Sequence, residues 1–270
     1  MTGIETAWAR LKAHEIRALA AREAAAVIPV ASTEQHGPHL PVMTDARLGE
    51  AVAHRAARKA WDRRPALVTP ALPFGISEHH MPFGGTLTLS PETFRAVLGD
   101  LLDSLRRQGF RDVLISNSHG GNVREMEALA DAISPAGEIR LVTVTYVTEA
   151  AREIGAILED QAGVHHACEA ETAMMLAEVP DLVDASDLGA IGTAPGRLLG
   201  AGRAGHRWRS FAAMTPNGVL GFPGKATADK GERLLEAASD AVAALLADPA
   251  TFAATEDLRA TETGGVPLRE

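Results

Sequence analysis

The chain has 270 residues, 46% of them hydrophobic, and a mean hydropathy near zero, which is typical of one large or two small globular domains. Its formal net charge of −9 argues against a general nucleic-acid binder, because such a protein presents a basic face. One cysteine excludes an intramolecular disulfide framework, and no apolar run approaches the ~20 residues of a membrane span. We therefore expect a cytoplasmic protein with neither a membrane nor nucleic acid as a partner.

Short apolar runs alternate with longer amphipathic patterns along the chain. The apolar runs predict strands at 24–32, 66–72, 85–90, 112–118 and 139–147. The amphipathic patterns predict helices at 45–61, at 90–110, from about 123, from about 167, and at 226–247. This alternation predicts an α/β fold with a mostly parallel central sheet that is covered on both faces. We assign residues 1–250 to a single domain and 251–270 to a polar C-terminal tail.

Capping residues indicate where several helices begin and end. Asp45 precedes the first long helical pattern and is predicted as its N-cap, because a short polar side chain can accept hydrogen bonds from the first helical N–H groups. Ser90 and Pro91 predict the start of the next long helix, and Gly109 predicts its end. Asn122 is expected to cap the helix that follows it.

Histidines and carboxylates follow the predicted strands. Glu34 and His36 come after the first strand, Asp45 lies beyond a Gly-Pro turn, and His119 follows the strand at 112–118. Ligands of parallel α/β sheets bind beyond the carboxyl ends of the strands, so we expect these four side chains to converge. Oxygen and nitrogen ligands without sulfur suit Zn²⁺ or Mn²⁺, and also Fe²⁺, and an aspartate can bridge two metals.

Four ligands are too few for two metal ions, and the segment HHACEAETAMM offers more. Its candidates are His165, His166, Glu169 and Glu171. The two glutamates have an alternative explanation, because negative charge in the first turn of a helix complements the helix dipole. Spacing alone leaves both explanations open.

Three motifs resemble the creatininase (creatinine amidohydrolase) family, in the family's order. They are STEQHGPHLPVMTD at 32–45, SNSHGGN at 116–122 and HACEAET at 166–172. Segments 73–90 and 218–235 are also similar, so the resemblance spans roughly 25–235. It implies a three-layer α/β/α sandwich, two divalent metal ions per subunit (Zn or Mn, with Fe as a third option), and assembly into a homohexamer. It also implies hydrolysis of a C–N bond in a small cyclic or linear amide, through a hydroxide formed at the dinuclear centre.

The resemblance also assigns roles to individual residues. Carried over by position, Glu34, Asp45 and His119 hold one metal, while His36 and Asp45 hold the other. His166 matches the histidine that transfers a proton in the family. We therefore assign it a catalytic role, because imidazole titrates near neutral pH.

Three positions depart from creatininase itself. Gly121 stands where creatininase has a metal-binding glutamate. Family branches with HGGN take this ligand instead from the position that is Glu171 here. We therefore assign Glu171 as a metal ligand and catalytic residue. Ala162 stands where creatininase has a tryptophan over its substrate, which argues against creatinine as the substrate. Cys168 replaces a glycine and is expected to be a small buried apolar residue rather than a ligand or nucleophile.

Further residues are predicted around the substrate. We assign His80, Gly120 and Gly121 to substrate binding, and we expect His79 to be simply exposed. His39 has two explanations that stay open: hydrogen bonding to a metal ligand, or packing against the neighbouring prolines. Arginines in the predicted loop at about 180–217 indicate either an anionic substrate or a solvated loop: Arg197, Arg203, Arg207 and Arg209.

The motifs leave the substrate open. STEQHGPHLP and SNSHGGN resemble the sequences of three other branches at least as well as that of creatininase. Those branches include a peptidase that cleaves terminal residues from the mycofactocin precursor, a pyrimidine deformylase and a keto-inositol ring hydrolase. We treat such a peptidase or ring-opening hydrolase as the alternative function, and a metal-stabilised scaffold without turnover as a third hypothesis.

Overall fold

A four-stranded parallel sheet forms the centre of the computed structural model, which describes residues 4–134, 137–194 and 207–254. Its strands are β1 (Ala25–Val30), β2 (Ala66–Val68), β3 (Asp112–Asn117) and β4 (Arg140–Thr145). They lie in the order β2-β1-β3-β4, and every neighbouring pair is parallel. The predicted α/β class with a parallel sheet is therefore confirmed.

Eight α-helices in the described residues surround this sheet. They are α1 (Ala13–Ala20), α2 (Thr44–Ala60), α3 (Pro91–Arg107), α4 (Val123–Ile133), α5 (Tyr146–Glu149), α6 (Ala151–Ile157), α7 (Glu169–Glu178) and α8 (Ala228–Ala247). Strand side chains alternate between the faces, so Val27 packs with the α2, α7 and α8 side while Ile28 packs with the α1, α3 and α4 side. These two cores confirm the three-layer α/β/α sandwich.

Helices α7 and α8 pack closely against each other. Gly231 on α8 allows it, because a Cβ atom there would lie 1.9 Å from the carbonyl oxygen of Ala173 on α7. Helix α2 packs in the same layer through four buried alanines: Ala53, Ala56, Ala57 and Ala60. This packing fixes α7, and therefore fixes the position of Glu171 in its first turn.

The helix boundaries confirm one capping prediction and correct another. Ser90 Oγ accepts a hydrogen bond from Thr93 N, Pro91 is the first helical residue of α3, and Gly109 follows its end with φ +96°. The prediction that Asp45 caps α2 is wrong, because α2 begins at Thr44, and Met43 occupies the N-cap without a side-chain hydrogen bond. The Asp45 carboxylate is instead directed at two histidines.

Two predicted strands differ from the structure. β2 ends at Val68 rather than at 72, because Pro70 lacks the N–H group that a continuing ladder needs, although Leu72 still bridges Val30. The predicted strand at 85–90 is not a strand in the structure. Its residues make isolated bridges from Leu87 to Thr33 and from Thr88 to Gly75, so the segment covers the loops that leave β1 and β2.

The end of the described chain packs against the core. Phe252 is 4% exposed and belongs to the same apolar cluster as α8, although it falls within the residues assigned to a polar tail. Residues 255–270 of that tail lie outside the described residues. Within the described residues, no helix combines the length and apolar character required to cross a bilayer.

Candidate metal centre

The sheet brings the first and third strands together where the candidate ligands begin. Val30, at the end of β1, is in register with Asn117, at the end of β3. Glu34 and His36 follow the first of these ends and His119 follows the second. The loops therefore leave the sheet side by side, as expected for ligands beyond the carboxyl edge of a parallel sheet.

Glu34, Asp45 and His119 form one buried group of possible metal ligands, in which one ligand atom of each lies within 4.8 Å of the others. His119 Nδ1 lies 3.1 Å from Glu34 Oε2 and 3.3 Å from Asp45 Oδ2. Its other ring nitrogen, Nε2, lies 3.0 Å from the carbonyl oxygen of Ile76 and donates to it. That hydrogen bond fixes the tautomer in which the Nδ1 lone pair faces the carboxylates.

His36, Asp45 and Glu171 form a second buried group with the same 4.8 Å limit. His36 Nε2 lies 3.3 Å from Asp45 Oδ1, while His36 Nδ1 donates to the backbone oxygen of Glu34 at 3.1 Å. The two groups share Asp45, which directs one oxygen at His119 and the other at His36. The predicted ligands at 34, 36, 45, 119 and 171 are thus brought together.

The carboxylates give this cluster a strong preference for positive charge. Although burial disfavours imidazolium, Asp45, Glu171 and Glu34 raise the pKa of His36 to about 9. Burial raises the pKa of the Glu171 carboxyl to about 7, and the nearby Asp45 carboxylate adds to the increase. Three buried carboxylates are costly unless cations neutralise them, and divalent metals provide that charge.

Unpartnered polar atoms identify where a metal fits. His36 Nε2 and Asp45 Oδ2 are buried and make no hydrogen bond to any of the described residues. Buried nitrogen and oxygen atoms are rarely left without a partner, because each costs about 1–3 kcal/mol. Two imidazoles and three carboxylates are a donor set that suits Zn²⁺ or Mn²⁺, so the side chains present fit a two-metal centre.

A hydrogen-bonded chain orients Glu34. Ser77 Oγ donates to Glu34 Oε2 at 2.6 Å, and His80 Nε2 lies 3.2 Å from Glu34 Oε1. The side-chain nitrogen Nε2 of Gln35 donates to His80 Nδ1 at 2.8 Å. The proton of the neutral His80 ring is therefore on Nε2, which donates to Glu34. His80 is 1% exposed, and both of its ring nitrogens bond to protein atoms. Ser77 and Gln35 were not predicted from the sequence, because neither is a typical metal ligand.

Glu169 and Glu171 differ completely in their surroundings. The Glu169 carboxylate accepts hydrogen bonds from Lys230 Nζ at 2.6 Å and from the backbone nitrogens of Glu159 and Asp160 at 3.0 and 2.9 Å. It is fully buried among these donors and belongs to neither group of possible ligands. Glu171 faces Asp45 and His36, so the geometry favours Glu171 as the ligand on α7.

His166 lies at the edge of the cluster. Its Nε2 lies 2.7 Å from the backbone oxygen of Gln35 and donates to it, while its Nδ1 lies 3.6 Å from Glu34 Oε1. Its ring lies 4.2 Å from that of His36 and 4.8 Å from Phe211, measured between centroids. Burial and the neighbouring histidines hold the pKa of His166 well below its usual range, so its Nδ1 is an unprotonated acceptor facing the cluster.

The two glycines after His119 have different surroundings. A Cβ atom at Gly121 would lie 2.2 Å from the Ile76 carbonyl oxygen and 2.4 Å from His119 Nε2, whereas one at Gly120 would meet nothing within 4 Å. A side chain at 121 would therefore require the Ile76 carbonyl and the His119 ring to shift. The predicted capping role of Asn122 is wrong: its side chain instead bonds the backbone of Ile76 and Ala31.

His39 and Cys168 stabilise the fold and do not face the metal cluster as ligands. His39 Nε2 bonds the Thr172 hydroxyl at 2.8 Å and so ties the ligand loop to α7, which is neither of the explanations considered above. Burial lowers the pKa of His39 to about 4, so it is neutral. Cys168 is fully buried, as expected, and burial raises the pKa of its thiol to about 12, which removes the thiolate that a nucleophile requires.

Two adjoining cavities open above the cluster. The first, which we call the central cavity, has a volume of about 330 Å³ and is lined by candidate ligands together with His80, His166, Gly120, Gly121 and Phe211. No tryptophan is among the described residues that line it, in keeping with Ala162 in place of the tryptophan of creatininase. A larger depression of about 740 Å³ along α8 has acidic walls and contains none of the clustered histidines.

The second cavity, which we call the outer groove, has a volume of about 580 Å³. It shares His79, Gly120 and Gly121 with the central cavity and extends to Arg207, Trp208 and Arg209. His79 is half-buried between the two cavities, so the expectation of a simply exposed side chain is wrong. Arg197 and Arg203, from the same predicted arginine set, lie outside the described residues.

Residues 9–246 match the family model described as "Creatinine amidohydrolase". A mycofactocin precursor peptide peptidase from Mycobacterium ulcerans (strain Agy99) is 35% identical over 215 residues, which cover 77% of this chain and 78% of that protein. A creatinine amidohydrolase from Pseudomonas putida is 31% identical over 189 residues, which cover 64% of this chain and 71% of that protein.

Solved structures of the creatininase family match this fold, and two of them are zinc or manganese forms of creatininase. A putative creatinine amidohydrolase from Bacteroides fragilis matches with a TM-score of 0.79 and 26% identity, covering 93% of this chain and 99% of that chain. A mutant creatininase of Zn-Zn type (TM-score 0.74, 25% identity, 90% and 97% coverage) and a Mn creatininase (0.72, 25%, 89% and 97%) also match. The sequence motifs, the three-layer fold and these matches agree, and the chain belongs to the creatininase family.

Proposed function

We propose that this protein is a metal-dependent hydrolase that cleaves an amide bond near the carboxyl end of a short peptide. The observation that carries the proposal is the shared position of Asp45 between two groups of buried ligand atoms. That arrangement supports Glu34, Asp45 and His119 as ligands of one metal ion, and His36, Asp45 and Glu171 as ligands of the other. When bound, two such ions supply Lewis acidity, which makes water nucleophilic at neutral pH and polarises an amide carbonyl.

His166 is suited to move the proton that amide cleavage requires. The Nε2–H of its ring is held by the Gln35 carbonyl, so Nδ1 is the atom that exchanges a proton. A neutral imidazole at this position accepts a proton from the attacking water and then donates it to the departing nitrogen. Because an amine is a poor leaving group, this second transfer is the step for which the protein must provide an acid.

The rest of the site positions these groups. The chain from Gln35 through His80 to Glu34 holds the Glu34 carboxylate in one orientation. Gly120 leaves open space on the wall of the central cavity, which is where a substrate backbone can approach. Phe211 and the buried histidine rings exclude water from one side of the cluster.

Three observations favour a peptide over creatinine. Among the described residues no tryptophan lines the central cavity, and the cavity adjoins the outer groove, so a substrate longer than a small ring can be accommodated. Several relatives between 32% and 35% identical are named mycofactocin precursor peptide peptidase, whereas the creatinine amidohydrolase of Pseudomonas putida is 31% identical over a shorter region. We therefore propose peptide processing as the primary function.

Hydrolysis of a small cyclic amide is the second candidate function. The Pseudomonas putida relative supports it, as does the size of the central cavity, because about 330 Å³ suits a small ligand. A ring-opening reaction of a keto-inositol type belongs with this candidate, supported by a 27% identical 3-dehydro-scyllo-inosose hydrolase from Thermotoga maritima.

One hydrolysis screen separates these candidates. Metal-loaded protein is incubated with short synthetic peptides and, in parallel, with creatinine and simple lactams, and the products are identified by mass spectrometry. We expect peptides shortened from the carboxyl end, and no such products after treatment with a chelator. Ring opening without any peptide cleavage would replace the primary proposal with the second one.

We also propose that the chain assembles as a homohexamer, which the family resemblance supports. Light scattering coupled to size-exclusion chromatography should then give about six times the chain mass of 28.4 kDa. A particle of one or two chains would contradict this assembly.

A further inference from the structure

The outer groove has no role in the chemistry described above, although it joins the central cavity. The two share His79, Gly120 and Gly121 as lining residues, so a substrate held over the metal ligands can extend directly into the groove. None of the five candidate metal ligands lines the groove, so the part of a substrate that lies there does not contact them. The groove therefore bears on which substrate binds rather than on how it reacts.

The wall of this groove is positively charged in a protein whose net charge is −9. Arg124 on α4 and Arg207 both line it and are exposed, and no ion pair from either one to another described residue is present. The Glu125 carboxylate beside them is held by Arg95 at 2.6 Å and does not neutralise Arg124. Glu78 is the remaining carboxylate of the groove, so the arginines outnumber it.

An exposed tryptophan lies in the same wall. Trp208 is 58% exposed, whereas most large apolar side chains of the described residues are buried. It directly follows Arg207 in the chain and lines the groove with it. A flat apolar surface beside guanidinium groups is suited to a ligand that carries an anionic group next to an aromatic or apolar one.

We infer that the outer groove binds the free carboxyl terminus of the substrate peptide, with Arg124 and Arg207 pairing to the terminal carboxylate and Trp208 contacting the last side chain. This inference rests on the proposed peptidase function and specifies its substrate class. A groove that holds this end at one side of the scissile bond would direct cleavage to a position near the carboxyl end. The contact lies away from the reacting atoms, so it contributes to KM rather than to kcat.

The test uses pairs of N-acetylated peptides that end in phenylalanine and differ only in a free or an amidated carboxyl terminus. Metal-loaded wild-type protein should show a KM about ten-fold or more lower for the free acid, because a charged hydrogen bond is lost with the amide. Arg124→Ala and Arg207→Ala should each lose most of this preference without changing the KM for the amide. Arg58→Ala is the matched control, because Arg58 lies on α2 about 20 Å along the helix from Asp45 and lines neither cavity.

Equal KM values for acid and amide in the wild type would overturn the inference. A preference that survives in the double variant Arg124→Ala/Arg207→Ala would also overturn it, because the carboxylate would then bind elsewhere. Both outcomes leave the peptidase function intact, since the peptides are still cleaved.

A binding measurement keeps the two proposals separate if neither peptide is cleaved. Titration of the same acid and amide into metal-loaded protein is followed by tryptophan fluorescence, with Trp208→Phe as the control that removes the signal from the groove. Tighter binding of the acid, lost in Arg207→Ala, would support the groove while the peptidase proposal fails. Equal binding of acid and amide would overturn the inference about the groove.

Discussion

Asp45 Oδ1 lies 3.3 Å from Nε2 of His36, and neither that nitrogen nor the other Asp45 oxygen makes a hydrogen bond to any described residue. Buried polar atoms that lack a well-formed hydrogen bond are costly in an apolar setting. The cost is removed when cations bind to both, so this pair connects the fold to the proposed chemistry. The same arrangement indicates which substitutions should lower metal content and which should lower the stability of the fold.

Replacement of Asp45 by asparagine should abolish binding of both metal ions. The amide has the size of the carboxylate but lacks the charge and the second anionic oxygen needed to bridge two cations. We expect plasma mass spectrometry to find less than about a tenth of the wild-type metal, since loss of a ligand typically costs more than the 10–100-fold of an outer contact. Wild-type metal content in this variant would contradict the shared role of Asp45.

The two glutamates in the first turn of α7 should respond differently to substitution by glutamine. Glu171→Gln should lower metal content to about one ion per chain, because only the second group of ligands contains Glu171. Glu169→Gln should keep the metals but lower the free energy of unfolding by up to about 3 kcal/mol, because it breaks a buried pair with Lys230. Metal analysis and urea denaturation measure both effects, and the reverse pattern would show that the wrong ligand was assigned.

His166→Asn should reduce kcat without removing the metals. The loss of a positioned proton-transfer group typically lowers the rate by ~10²–10⁴-fold. Because one ring nitrogen of His166 also lies in a group with Glu34 and His36, metal content must be measured on the same sample. A variant that loses metal in proportion to activity would make His166 a ligand rather than a proton carrier.

His80→Ala distinguishes a positioning role from substrate binding. The ring donates to Glu34, so its removal should weaken metal affinity about 10–100-fold, as observed when a partner of a metal ligand is lost. A raised KM with unchanged metal affinity would instead support the substrate-binding role predicted for His80 from the sequence. Competition with a metal-binding dye measures the affinity, and steady-state kinetics measure KM.

Gly121→Ala and Gly120→Ala form a matched pair. At 121 the new Cβ would meet the Ile76 carbonyl oxygen and His119 Nε2, so His119 must move, and we expect metal affinity to fall by at least about ten-fold. At 120 the new Cβ meets nothing within 4 Å, so metal affinity should be unchanged. Equal metal affinity in the two variants would contradict the crowded environment of Gly121.

The sequence was informative where side-chain chemistry and local pattern act together. Apolar runs and caps predicted the four strands of the sheet and the boundaries of α3 closely, and the ligand types at 34, 36, 45 and 119 predicted a cluster at the carboxyl edge of the strands. The strand predicted at 85–90 failed, because its alternating residues cover two loops instead of joining the sheet.

The remaining features depend on contacts between distant parts of the chain. Spacing cannot distinguish Glu169 from Glu171, since the difference is made by Lys230, some 60 residues away. Gln35 and Ser77 were missed for the same reason, because their roles come from neighbours that the fold brings to them. Asp45 resembles a helix cap locally, and the histidines from two other loops determine where its oxygens point.

The most direct test of the central claim is the number and position of metal ions in crystals of the active protein, measured by anomalous scattering at the zinc and manganese absorption edges. The account predicts two peaks that share Asp45, one beside Glu34 and His119 and the other beside His36 and Glu171. Active protein with no peak at these side chains, or with one metal that leaves Asp45 untouched, would contradict it.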